Sequence, residues 1–172
     1  MNIVLLEPEI PANTGNIGRT CVATGTALHL IEPLGFLLRE KELKRAGMDY
    51  WPLLDLLVYD DWADFLAKNP QARLVMASTK GRIVYSDFSY RPDDFLVFGK
   101  ESAGIPEEIL AKHPDTCVRI PMNENIRSLN LANSVAVLLY EALRQNDFVH
   151  MQREGHLKRL EYSKTESEQA SL

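Results

Sequence analysis

The sequence predicts an α/β domain, a mostly parallel sheet flanked by helices. Short apolar runs alternate with helix-compatible stretches, and none is joined to the next by a tight hairpin turn. The runs NIVLL, ALHLI, RLVMA and DFLVF are also apolar at nearly every position, the pattern of strands covered on both faces.

Asn2 to Leu6 is the first strand. In the following EPEIPANTGN, Pro8 and Pro11 delay a helix until about Thr14, after which Ile17 to Thr24 is helical. Ala27 to Ile31 is the second strand, stopped by Glu32 and Pro33. Between Leu34 and Pro52, alternating charges around Arg39, Lys41, Lys44 and Arg45 predict a short helix ending at Gly47. Leu56 to Tyr59 is a third strand, and Asp61 to Lys68 a helix capped by Asp60 or Asp61. Arg73 to Ala77 and Asp94 to Phe98 are the next strands. Pro106 to Lys112 is a helix with proline in its first turn, and Cys117 to Ile120 is a sixth strand.

The last helix starts just after Ser128, whose hydroxyl suits an N-cap. Leu131, Val135, Leu138, Leu139 and Ala142 form one apolar face, and Ala132, Ala136, Val137 and Leu143 cover most of the rest. Such a helix must be covered on several sides, which predicts a subunit interface; Tyr140 is assigned to core or interface packing. Apolar content falls after Val149. The expected organisation is one domain over 1–150 and a polar, partly disordered tail over 151–172, in which His156, Lys158 and Arg159 read as a solvated helix end in preference to a polyanion contact.

The chain has 172 residues, of which 45% are hydrophobic and 25% charged, enough for one real core. A net charge of −5 excludes nucleic-acid binding through overall charge but permits a local basic patch. The cluster Arg39, Lys44 and Arg45 has two open readings, an RNA-facing surface or a solvated helix face. Cys21 and Cys117 lie in apolar surroundings and read as buried thiols of a protein in a reducing compartment. No apolar run reaches the roughly 20 residues of a membrane span, and the amino end has no basic segment before an apolar one, so a cytoplasmic protein is expected. His29, His113, His150 and His156 are scattered without ligand spacing, so no metal site is expected.

Ligands of parallel sheets sit at the carboxyl ends of strands, here the loops after Leu6, Ala77, Phe98 and Ile120. The stretch N13-T14-G15-N16-I17-G18-R19 invites a dinucleotide-binding reading, but eight residues separate Leu6 from Gly15 and the third glycine of that fingerprint is missing. Asn13 and Arg19 are expected instead to project into a shared cleft, where a guanidinium offers a forked donor set for phosphate. The turn F98-G99-K100-E101-S102-A103-G104 supplies glycines where backbone must turn tightly, with one acid, Glu101, between them.

Together with R119-I-P and R127-S-L-N-L-A-N, these segments make the sequence resemble the SPOUT class of RNA methyltransferases. Within that class it is similar to the small members that methylate the ribose 2′-oxygen of the tRNA wobble nucleotide. The resemblance runs from Asn2 to about Phe148 and includes N-I-V-L-x-E-P-E-I-P-x-N-T-G-N-I, L-H-x-I-E-P-L-G-F and K-R-A-G-M-D-Y. It implies a carboxyl-terminal trefoil knot, and S-adenosylmethionine as methyl donor with S-adenosylhomocysteine as product. The donor would lie in a pocket of three loops, Ala77 to Gly81, Gly99 to Gly104 and Ile120 to Asn130. Ala77, Gly99, Ile120 and Ser128 match donor-contacting positions, and Glu101, Gly104 and Asn130 in the same loops are assigned with them.

By the same resemblance Arg19 is the catalytic arginine with Asn13 beside it, and the helix after Ser128 is a homodimer interface. Guanidinium carries no free base at neutral pH, so Arg19 is expected to clamp a phosphate and stabilise developing charge, with Glu101 or a phosphate oxygen taking the proton. The implied substrate is nucleotide 34, a cytidine or modified uridine, in leucine tRNA isoacceptors, with the anticodon loop guided by Arg39, Lys44, Arg45 and Arg127. The chain departs from many members at Lys100 (proline there), Ala103 (arginine) and Gly18 (isoleucine), and Lys100 is expected to compensate for the arginine. Two competing readings are a methyltransferase of ribosomal RNA and a non-catalytic module binding the donor or RNA. Lack of an appended RNA-binding domain favours a short accessible target such as an anticodon loop.

Overall fold

The computed structural model describes residues 1–37 and 50–160. Among them seven strands form one sheet: β1 (Asn2–Leu6), β2 (Ala27–Ile31), β3 (Leu56–Tyr59), β4 (Leu74–Ala77), β5 (Ile83–Val84), β6 (Phe95–Phe98) and β7 (Cys117–Arg119). Their order is β3-β2-β1-β6-β4-β7-β5, and every pairing is parallel. Among the described residues four α-helices flank it: α1 (Pro11–Thr24), α2 (Trp62–Lys68), α3 (Glu107–Leu110) and α4 (Leu131–Gln145).

The period-2 geometry of a strand explains why the central runs are apolar throughout. Ile3 and Leu5 point to the face where Ile17 and Cys21 of α1 pack with Val135, Leu138 and Leu139 of α4. Val4 and Leu6 point to the other, where they meet Phe65 of α2 and Leu110 of α3. Each strand residue therefore has its own apolar partner layer.

Several boundaries differ from the sequence reading. Helix α1 begins at Pro11 rather than Thr14, because a proline in the first turn lacks only an N–H that no helix would have satisfied. It ends at Gly25, whose left-handed φ of 64° lets its N–H bond the carbonyls of Cys21 and Val22. Helix α4 is capped by Asn130, not Ser128: the Asn130 side chain accepts from the N–H groups of Ala132 and Asn133. Pro106 caps α3 instead of lying in its first turn. The two-residue strand β5 has too little pattern to be seen in sequence. The predicted helix ending at Gly47, with Arg39, Lys41, Lys44 and Arg45, lies outside the described residues, as do the last twelve positions of the tail.

A buried histidine packs against Phe65 under α2. His29 is 4% exposed, with Nδ1 2.8 Å from the Tyr59 hydroxyl and Nε2 3.3 Å from Asn2 Oδ1. Burial lowers its pKa to about 4, with Asp55 opposing weakly. The unfolded chain then binds a proton on this imidazole below about pH 6.5 while the folded chain resists until about pH 4, so stability falls as pH drops through that window. His29→Gln is expected to flatten the decline, removing a term on the order of 3 kcal/mol in total. Urea denaturation at stepped pH measures it, and an unchanged acid slope would refute the assignment. His113, also lowered by burial, leaves a residual slope of the same sign.

Candidate active site

The loops leaving β1, β4, β6 and β7 meet at the carboxyl edge of the sheet around a cleft of about 500 Å³. Ala77, Gly99, Glu101, Gly104, Ile120, Ser128 and Asn130 all line it, as do Asn13 and Arg127. The residues that sequence places in three separate loops thus share one crevice. Its floor is apolar, from Phe98, Ile105, Ile120 and Leu138, and its rim polar. The volume is within the range of roughly 300–1,000 Å³ typical of clefts for small organic ligands.

The Gly99–Gly104 turn is closed on itself. Gly104 N–H donates to the Lys100 carbonyl at 2.8 Å, and Gly104 has a left-handed φ of 72°. A Cβ on Gly99 would lie 2.0 Å from the Gly104 carbonyl carbon, so this turn exists only without a side chain there.

A second set of bonds locks this turn to the loop after β1. Glu101 accepts from the backbone N–H groups of Glu9 at 2.8 Å and Ile10 at 3.3 Å, and from Asn13 Nδ2 at 2.8 Å. Glu9 in return accepts from the Ser102 hydroxyl at 2.8 Å and N–H at 2.9 Å, which in that order hold its carboxyl below the usual range. Lys100 Nζ is 2.7 Å from Glu7 Oε2, and that hydrogen bond, then the charge, raises the ammonium pKa. Glu101 sits at the start of α1, where a carboxylate also complements the helix dipole. Its contacts are those of an anchor. Lys100, expected to substitute for a missing arginine, is instead paired with Glu7 inside this clasp.

The polar chain continues from Glu101 through Asn13 to α4. Asn130 Nδ2 donates to Asn13 Oδ1 at 3.0 Å, while Asn130 Oδ1 accepts from Ala132 N–H at 2.9 Å and Asn133 N–H at 3.3 Å. One side chain therefore caps α4 and ties it to α1. Asn130→Ala is expected to lose about 1–2 kcal/mol, the cost of a missing cap, and Asn130→Asp to keep the cap while losing the donation to Asn13. Thermal melts of the two variants check this. Equal destabilisation by both would contradict it. Arg127 Nη2 donates to the Ser102 carbonyl at 3.3 Å, joining the third loop to the same turn.

Arg19 does not enter this cleft beside Asn13. Six helical positions at about 100° each leave the two side chains roughly 120° apart around α1 and about 9 Å apart along it. Asn13 is buried in the cleft, whereas Arg19 is exposed, its guanidinium carbon 4.7 Å from the centre of the Tyr50 ring. Glu7, Glu9, Ser102 and Tyr50 were not singled out from sequence. An acid beside a proline or a lone tyrosine carries no periodic signal, and their roles arise from contacts across up to 93 positions. Among the described residues no group of three His, Cys, Asp or Glu side chains converges on one point. Both cysteines are buried thiols, and burial pushes Cys21 up to about 12.

A crevice at the carboxyl edge of a parallel sheet, lined by glycine turns and asparagines, defines an α/β domain with a cleft for a small organic ligand. A family profile described as the SpoU rRNA Methylase family matches residues 1–140, and the chain belongs to that family. It is 51% identical over 148 residues to the tRNA (cytidine(34)-2'-O)-methyltransferase of Methylovorus glucosotrophus, covering 86% of this chain and 96% of that one. A solved structure described as giving insights into the 2-OH methylation of C/U34 on tRNA is 49% identical, with a TM-score of 0.79 over 85% of this chain and 95% of that one. An AdoMet-bound rRNA methyltransferase from Sinorhizobium meliloti is 28% identical with a TM-score of 0.73, covering 83% of this chain and 55% of its own.

Proposed function

We propose that this chain methylates the ribose 2′-oxygen of nucleotide 34 in tRNA, using S-adenosylmethionine as donor. The observation that carries the reading is the cleft itself, in which the three loops named from the sequence meet around a space suited to a nucleoside. The residues present fit such a donor: an apolar floor of Ile105, Ile120 and Leu138 for a flat base, and backbone of the Gly99–Gly104 turn, bare of a side chain at Gly99, for close approach. When bound, the donor supplies a sulfonium-activated methyl group. The chain's own task is to align a ribose oxygen in line with that carbon and to stabilise charge as the hydroxyl proton leaves.

Three N–H donors already occupy Glu101, which favours the other acceptor, a phosphate oxygen of the bound nucleotide relaying to solvent. Glu101 and Asn13 then act by holding the donor turn against α1. Arg19 is the proposed clamp on the phosphate. Because it faces away from its own cleft, a second copy of the chain is the natural source of the guanidinium. Helix α4 offers the contact surface, with Val137 38% and Tyr140 44% exposed in the single chain. Homodimerisation, the knotted threading of the carboxyl-terminal strands and a cytoplasmic location belong to this proposal. No helix among the described residues is long and apolar enough to cross a membrane.

The reading is tested by incubating the protein with methyl-labelled donor and tRNA lacking the modification, then mapping the label. Label confined to the ribose of nucleotide 34 is expected. Label in ribosomal RNA alone would move the substrate, and none in either would favour a binding module. Arg19→Ala is expected to lower turnover about 100-fold or more, and Arg19→Lys to recover little of it because a point charge lacks the fork.

A further inference from the structure

We propose that Tyr50 is a positioning residue for methyl transfer, acting through Arg19; the inference rests on the role of Arg19 given above. Three independent features of the 50–54 segment converge on one turn of α1. The Tyr50 ring lies under the Arg19 guanidinium at 4.7 Å, within cation–π range. Its hydroxyl donates to the carbonyl of Gly15, the acceptor one helical turn before Arg19, so the ring cannot swing away while the helix stands. Between those two attachment points, Gly18 leaves room for the segment to close. A Cβ there would come 3.2 Å from Trp51 and 3.3 Å from Leu54, both held by a short 3-10 turn over Trp51–Leu53.

The consequence is chemical. Arginine carries several flexible bonds, and fixing them costs side-chain entropy whenever a phosphate is clamped. A ring beneath the guanidinium plane restricts the side chain before RNA arrives, and phosphate is bound at the in-plane N–H edge that the ring does not cover. The ring removes no donor, since stacking uses only the face. Pre-orientation of this kind raises the rate of transfer and leaves donor binding in the cleft unchanged, because Tyr50 does not line that cleft.

The test is a coupled set of variants of the full chain, each assayed for methyl transfer to unmodified tRNA and for donor affinity by calorimetry. Tyr50→Leu is expected to lower kcat/KM for tRNA about tenfold or more, with donor Kd within about twofold of the unaltered protein. Tyr50→Phe keeps the ring but loses the Gly15 tether, and is expected to lose about threefold, less than Tyr50→Leu; a loss as large as that of Tyr50→Leu overturns the role of the ring. In Arg19→Ala, the added Tyr50→Leu change is expected to cost less than about a further twofold, since a residue acting through Arg19 has nothing left to position. Wild-type activity of Tyr50→Leu, or loss in the double variant equal to the product of the single losses, overturns the inference. Should Arg19→Ala itself transfer normally, the reading of Arg19 fails and the inference with it; inactive Arg19→Ala beside normal Tyr50→Leu sinks the inference alone. If Tyr50→Leu melts early, Tyr50→Met takes its place: a flexible side chain of similar reach without a ring is expected to reduce kcat/KM about tenfold at unchanged donor Kd, and an unaltered rate overturns the proposal.

Discussion

Gly99→Ala is expected to weaken S-adenosylmethionine binding by about 100-fold or more and to destabilise the fold by the upper end of the roughly 1–3 kcal/mol typical of overpacking. The added methyl would sit 2.0 Å from the Gly104 carbonyl carbon, 2.2 Å from the Ile105 nitrogen and 2.3 Å from the Gly104 oxygen. All three are backbone atoms, so no rotamer change relieves the overlap. The turn itself must open, and with it the Gly104 to Lys100 bond that shapes the cleft wall. Gly104→Ala is the matched control. Its Cβ meets nothing within 4 Å, and only the left-handed φ of 72° is strained, at a cost of about 1–2 kcal/mol. Calorimetric titration and thermal melting of both variants measure the contrast. If Gly99→Ala bound the donor as well as Gly104→Ala does, the closed turn would have no part in binding.

Glu101→Gln is expected to raise donor Kd about 10- to 100-fold as it lowers turnover, the scale of losing one or two hydrogen bonds to a charged group. The carboxylate accepts on both oxygens, from Glu9 and Ile10 N–H and from Asn13. An amide of the same shape must turn its NH₂ toward one set of those donors, forcing N–H against N–H inside the clasp. The two roles assigned to Glu101 separate here. A proton acceptor lost to Gln lowers kcat at saturating donor and spares Kd, whereas a lost anchor moves both. Unchanged Kd with a collapsed kcat would return Glu101 to the role of base.

Much of the site is legible in the sequence because its pieces are local. Gly99, Glu101 and Gly104 stand within six residues directly after an apolar strand, and Asn130 stands before a helix whose pattern is unmistakable. The cap lies two residues beyond Ser128, since Ser128 and Asn130 both carry competent oxygens and only backbone geometry chooses between them. Pro11 is ambiguous for a related reason: the residue that forbids a helix interior is welcome at its first position. The pairing of Asn13 with Arg19 failed on helical phase, since the loop expected before Thr14 is helix and six positions of helix turn the two apart.

Strand identity, helix identity and the crevice at the carboxyl ends follow from the chain's own alternation of apolar periods, because local periodicity dictates which face each segment must bury. The strand order, the clasp of Glu7, Glu9 and Glu101 with the Gly99–Gly104 turn, and the seat of Arg19 on Tyr50 were decided by tertiary structure alone. Those contacts join residues some 30 to 93 positions apart, and a pairing over such separation has no period in the sequence. It depends on which strands lie side by side, and β1 beside β6 is what carries an acid of one loop to the backbone of the other.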